Sequence, residues 1–273
     1  MSQWQHRFAH APTDRVRLYD QVLAPAVFHP WACYLAGAIG PCTGAQALDV
    51  ACGTGTLTRV LATSIGSEGS VTGTDISDGM LGAARGTAPA LGAPQRYLQS
   101  PAAPLDQIDD GRFDLTCCQH GLQFFPDRPA AAREWHRVTK PGGTLAVAIW
   151  APLEHNPLFD ALHHAVAVTL SADYAEKFAH PWSLPAPQAR AVIEEAGFTH
   201  VRHHRALLPT TFPGGAKDLL TVYQFSPIAD VITGLDLHAR RHLEQAVDHR
   251  LAPFQDETAI TAPTSVEIIV ATR

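Results

Sequence analysis

The chain has 273 residues, 46% of them hydrophobic, and a formal net charge of −6. A chain of this length buries about 75% of its extended surface as one large domain. Its acidic balance and scattered Lys and Arg leave no basic stripe for nucleic acid.

No uninterrupted apolar run of about 18 residues stands out, so no transmembrane helix is expected. The polar start Met1–Arg7 lacks the apolar core of a signal peptide, and the expected location is the cytoplasm. Five cysteines, without a C-x-x-C pair, point to no disulfide framework or thiolate metal site. His238 and His242 stand four apart on a helical stretch, but Arg240 and Arg241 beside them repel a cation, so no metal is expected.

Residues 1–44 read as an N-terminal helical cap. Val16, Tyr19, Val22 and Leu23 fall at helical spacing, and the aromatic cluster Phe28, Trp31 and Tyr34 follows. From 45 to 150 strand and helix alternate, the pattern of a doubly wound parallel sheet, with strands expected at 46–51, 70–75, 95–99, 113–118 and 144–150. Beyond Trp150 five prolines interrupt the chain up to Pro187, and a helix at 186–196 ends at Gly197, suited to a left-handed cap. Residues 200–208 and 265–272 read as two more strands, so 151–273 completes the sheet. The stretches of about 151–185 and 214–252 are helical insertions long enough to cover the carboxyl ends of the strands as a lid.

The run Leu48-Asp49-Val50-Ala51-Cys52-Gly53-Thr54-Gly55 is a buried strand, a glycine turn and the start of a helix. Gly53 and Gly55 let a ligand approach the backbone. The third glycine of the dinucleotide fingerprint is replaced by Thr58, and Asp49 is a poor neighbour for pyrophosphate. The acid suits a ligand that carries an ammonium group. Asp75 ends the second strand 20 residues beyond Gly55, where an acid can accept both ribose hydroxyls. The pattern describes a nucleoside with a cationic amino-acid tail and no phosphates.

These residues resemble the first motif of class I S-adenosylmethionine (SAM) dependent methyltransferases. Asp75-Ile76-Ser77 and Met80-Leu81 are similar to the segment that holds ribose and adenine there. Phe113-Asp114-Leu115, the run from Gln119 to Arg128, and Arg137 to Leu145 resemble the fourth strand, its following helix and the turn into the fifth strand. The pattern is nearest to the ubiquinone/menaquinone-biosynthesis-like enzymes that act on small molecules. The resemblance implies a Rossmann-like, seven-stranded, mostly parallel sheet with its last strand antiparallel and SAM as cofactor. It implies a cofactor site from Tyr19, Asp49, Ala51, Gly53, Gly55, Asp75, Ile76, Met80, Gln99, Ser100, Gln119 and His120. In the family an aspartate is common where Ser100 stands, and Pro101 offers no N–H to a base edge.

The expected activity is methyl transfer to oxygen or carbon of a hydrophobic small molecule. His120, placed after the fourth strand, is the candidate base, with His29 behind it. His29, Trp31 and Trp150 are candidates for the acceptor pocket. Two other readings stay open: a nicotinamide oxidoreductase, disfavoured by Asp49 and the missing glycine, and a methyltransferase fold that does not methylate, serving as a cyclase, isomerase or partner subunit. The oligomeric state is left open.

Overall fold

The computed structural model describes residues 3–87 and 92–273. Seven strands form one sheet: β1 Gln46–Val50, β2 Ser70–Asp75, β3 Gln95–Gln99, β4 Phe113–Gln119, β5 Thr139–Trp150, β6 Thr199–Phe212 and β7 Ile260–Thr272. The spatial order is β3-β2-β1-β4-β5-β7-β6. β1 to β5 run parallel, and β7 lies antiparallel between β5 and β6. The order reverses between β1 and β4, which opens a crevice at their carboxyl ends.

Alternation along the central strands divides the apolar side chains between the two faces. Ala146, Ala148 and Trp150 join one layer with the helices His29–Ile39, Thr56–Ile65 and Pro157–Thr169. Leu145, Val147 and Ile149 join the other, with Arg128–Val138 and Ala186–Glu195. The helix Ala186–Glu195 ends near Gly197 at φ +105°, the left-handed position expected there.

Three strands are longer than their sequence pattern suggests. β5 starts at Thr139 because Thr139 pairs with Phe113 and Thr144 with Leu115, with Lys140–Gly143 bulging between them. β6 and β7 run on through Pro209 and Pro263, which face each other in the register. Pro209 is tolerated because β6 is an edge strand, and Pro263 because β5 pairs with β7 only from Val266 onward.

Residues Thr13–Ile39 form one continuous helical run, long and apolar enough to cross a membrane by length and composition. That corrects the expectation that no segment meets this test. Leu23, Val27, Trp31 and Leu35 of the run are buried in the core. Its middle, Tyr19–Phe28, is a widened π-type helix around Pro25, which has no N–H for the usual bond. The trailing insertions are helical too, with Pro157–Thr169 and Leu237–Leu251 joined by the Arg250–Asp160 ion pair at 2.6 Å.

Candidate active site

The turn after β1 is built from left-handed backbone. Ala51, Gly53 and Gly55 have φ of +57°, +55° and +79°. The two glycines do different work. A Cβ on Gly53 would stand 3.8 Å from the Tyr19 hydroxyl and enter a cavity of about 650 Å³, so Gly53 is where backbone meets ligand space. A Cβ on Gly55 would stand 2.8 Å from the Tyr97 hydroxyl and 3.2 Å from Ala84. Gly55 therefore serves the packing of the turn and lies outside the cavity wall.

Asp75 fastens this turn from β2. Its Oδ2 accepts the Gly53 N–H at 2.8 Å and its Oδ1 accepts the Ser77 N–H at 2.9 Å. Burial raises its pKa above the usual carboxylate range, against those two hydrogen bonds. A carboxylate has about four lone-pair sites, so acceptor capacity remains toward the cavity it lines. Asp49 lies beneath the turn and does not line the cavity; it is 1% exposed and accepts from Thr58 Oγ1 at 2.7 Å. Burial pushes its pKa up to about 7. The Tyr19 phenol, raised far above its ordinary value chiefly by burial, also feels the charges of Asp75, Asp20 and Asp49. Three carboxylates gather here, and one Asp20 oxygen is buried without a partner. The site favours a cation.

On the other side of the crevice, Gln119 and His120 end β4. Gln119 Nε2 donates to the Phe28 carbonyl at 2.8 Å, which ties the N-terminal helical run to the sheet, while Oε1 is buried without a partner. His120 turns left-handed at φ +55° and is 6% exposed. Neither ring nitrogen has a hydrogen-bond partner, and burial lowers its pKa to about 3. The imidazole is therefore neutral at ordinary pH. Gly121 permits this turn, because a Cβ there would meet Cys118 Sγ at 2.8 Å and Ala51 Cβ at 2.9 Å.

Tyr19, Ala51, Gly53, Asp75, Ile76, Met80, Ser100, Gln119, His120 and Trp150 all line the one cavity. Ser100 spends its N–H on the Asp75 carbonyl and its hydroxyl on the Pro101 carbonyl, each at 3.0 Å. Gln99 corrects its expected role: the side chain lies outside the cavity wall and its amide holds the Ile76 carbonyl at 3.0 Å. His29 and Trp31 are corrections too. His29 is exposed beside Cys33 Sγ at 3.6 Å, and Trp31 is wholly buried, donating to Thr264 Oγ1 at 3.0 Å. Side chains on a helix radiate in all directions, so Leu23, Val27 and Phe28 reach the cavity while His29 and Trp31 turn away.

Each insertion adds wall residues that sequence reasoning missed. Phe8 and Phe28 come from the N-terminal region, Phe159 and Trp182 from 151–185, and Val222 and Phe225 from 214–252. Of these only Phe28 stood out in the sequence, as part of the aromatic cluster Phe28, Trp31 and Tyr34. Among the described residues no cluster of His, Cys, Asp or Glu could hold a metal.

The sheet order and the crevice at the carboxyl ends of β1 and β4 are those of the Rossmann-like methyltransferase fold. Residues 48–147 match the family described as a methyltransferase domain. The chain is 38% identical over 120 residues to the demethylmenaquinone methyltransferase of Staphylococcus epidermidis, covering 44% of this chain and 48% of that protein. It is 32% identical over 192 residues to the nocamycin O-methyltransferase of Saccharothrix syringae, covering 64% of this chain and 66% of that protein. The matches thus span about half to two thirds of these curated relatives' lengths. Among solved structures, Haemonchus contortus phosphoethanolamine N-methyltransferase 2, in complex with phosphomonomethylethanolamine and S-adenosylhomocysteine, superposes with a TM-score of 0.63 at 16% identity. That likeness covers 100% of this chain and 60% of that one, and it concerns the fold.

Proposed function

We propose that this protein transfers a methyl group from SAM to an oxygen or carbon atom of a hydrophobic small molecule. One observation carries the reading: a single cavity joins the anionic glycine turn to an aromatic chamber, with His120 at the junction. SAM, when bound, supplies an activated methyl on a sulfonium.

The residues present fit such a group. The Gly53 backbone faces the cavity, Asp75 keeps acceptor capacity for a ribose, and Ile76 and Met80 offer an apolar bed for a base. The buried Gln119 Oε1, which has no partner, suits the ammonium of an amino-acid tail. The nearby carboxylates complement the positive charge.

Methyl transfer to a held acceptor is mostly a matter of proximity and orientation. The N-terminal helical run and the two insertions supply the wall around the acceptor. His120, held neutral by burial, orients the acceptor and accepts a hydrogen bond from its hydroxyl; it is a weaker base than its sequence position suggests. The demethylmenaquinone methyltransferase and the nocamycin O-methyltransferase among the relatives support a small-molecule acceptor.

The test is incubation of the purified protein with SAM and a panel of hydrophobic phenols and quinols, read by mass spectrometry. The reading predicts products in which one hydrogen is replaced by one methyl, together with S-adenosylhomocysteine. Adenosyl binding without any methylated product across oxygen and carbon acceptors would favour a non-methylating role.

A further inference from the structure

The cavity does not stop at the glycine turn and the aromatic chamber; it also runs outward past the end of β3. Along the carboxyl edge of the sheet, β4, β1, β2 and β3 follow one another, which sets Gln119, Gly53, Asp75 and Ser100 in that order. Asp75 pairs with Gln99 in the register, and the Ser100 N–H donates to the Asp75 carbonyl at 3.0 Å. An amino-acid tail at Gln119 and a ribose at Asp75 thus send the base away from β4, across Ile76 and Met80. Its outer edge then faces residues 100–104.

Beyond that edge lies a slot with two fixed walls. Pro101, Ala102, Ala103 and Pro104 form one, and Ala130, Ala131 and Glu134 of the helix Arg128–Val138 form the other. The three helix residues share a face because they stand three and four apart. Glu134 accepts the Leu105 N–H at 2.7 Å, and Arg137 donates to the Leu105 carbonyl at 3.1 Å. These bonds pin the end of the first wall to the second. Pro101, Pro104, Pro126, Asp127 and Arg133 line the cavity and are themselves exposed, so the slot opens to solvent.

A closed base pocket rejects an added ring, since overpacking a filled site is costly. Here methyl side chains and prolines border the base edge, and the space behind them leads outside. We propose that the base end of the cofactor site is open: the protein binds adenosyl ligands that carry an apolar ring on the 6-amino group of the base, and Ala130 sets the width of the slot. This rests on the adenosyl reading above and goes beyond it in naming the ligands that this chain's own slot admits.

The test is calorimetric titration with S-adenosylhomocysteine and with its derivative benzylated on the 6-amino group. The wild-type protein should bind the benzyl derivative no more than about fivefold more weakly than the parent, and each ligand should displace the other. Ala130→Phe fills the slot with a ring of its own. It should keep the parent affinity within about twofold and weaken the benzyl derivative about tenfold or more. Binding of the parent also reports that the variant is folded; if it is lost, Ala102→Phe on the opposite wall makes the same comparison. A larger loss for the benzyl derivative in the wild-type protein, binding that does not compete with the parent, or a filled slot that holds both ligands equally overturns the proposal. Loss of the benzyl derivative alone strikes the open slot, whereas failure of S-adenosylhomocysteine itself strikes the adenosyl reading and the slot together.

Discussion

The imidazole of His120 lies flat on the indole of Trp150, with ring centroids 4.2 Å apart and planes inclined by 18°. This stack joins the carboxyl ends of two adjacent parallel strands, β4 and β5, at the wall of the cavity. His120 is buried there with neither ring nitrogen partnered, and burial leaves its imidazole uncharged at the cavity wall.

His120→Ala should therefore lower acceptor turnover by about 10–100-fold, the scale of lost positioning, while SAM affinity changes little. Steady-state kinetics and calorimetry on the same variant check this. Because the His120 pKa is lowered to about 3, the wild-type rate should show no limb near the ordinary histidine value of 6.5 that vanishes in the variant. Equal losses of turnover and SAM affinity would make His120 a cofactor-packing residue.

Asp75→Ala removes the acceptor of the Gly53 and Ser77 N–H groups as well as the proposed ribose partner. SAM binding should weaken by about 1–3 kcal/mol through lost hydrogen bonds to a charged group. Calorimetry measures this directly, and unchanged affinity would remove Asp75 from the ribose site.

Asp49 makes stability depend on pH with a definite sign. Its folded pKa of about 7 lies above its ordinary 3.8, so the folded state holds the extra proton between those values. That contribution is fully present below about 3.8 and is lost as pH rises through 7. His120 acts the other way: its contribution is present above 6.5 and is lost as pH falls toward 3. Both changes fall mainly between pH 3.8 and 7 and oppose each other, so the Asp49 contribution is read as a difference between proteins. Denaturation across that range should show the stability of Asp49→Asn rising with pH relative to that of the wild-type protein. A cationic ligand favours the Asp49 carboxylate, so SAM binding near pH 7 should release protons, seen as heats that vary with buffer ionisation enthalpy.

Gly121→Ala tests the turn that carries His120. The added methyl would meet Cys118 Sγ at 2.8 Å, Ala51 Cβ at 2.9 Å and Phe125 Cζ at 3.2 Å. Overpacking of this kind costs about 1–3 kcal/mol, so a clear drop in denaturation midpoint is expected, with loss of acceptor binding. A variant as stable and active as the wild-type protein would show that the β1 and β4 turns are not interlocked.

The sheet was legible where sequence signals are local. β1, β2 and β3 lie where alternation and the glycine turn place them, because each strand's periodicity and its flanking turn agree. The early start of β5 was hidden by Pro141-Gly142-Gly143, which spell a turn yet form a bulge within one strand. Pro209 and Pro263 concealed the length of β6 and β7 in the same way. At the site, the residues of the β1, β2 and β4 ends were readable because a short motif sets their geometry. The aromatic wall was not, since Phe8, Trp182 and Phe225 meet only through tertiary packing of three separate segments. Phe28-His29-Pro30-Trp31 misled for a related reason: an aromatic cluster on a helix faces several directions, and only Phe28 faces the cavity.

The central claim is that the crevice between β1 and β4 binds an adenosyl sulfonium and not a dinucleotide. Isothermal titration of the purified protein with SAM, S-adenosylhomocysteine and NADH tests it most directly. The account predicts micromolar binding of the two adenosyl ligands and none of NADH. NADH binding, or no heat with either adenosyl ligand, would contradict it.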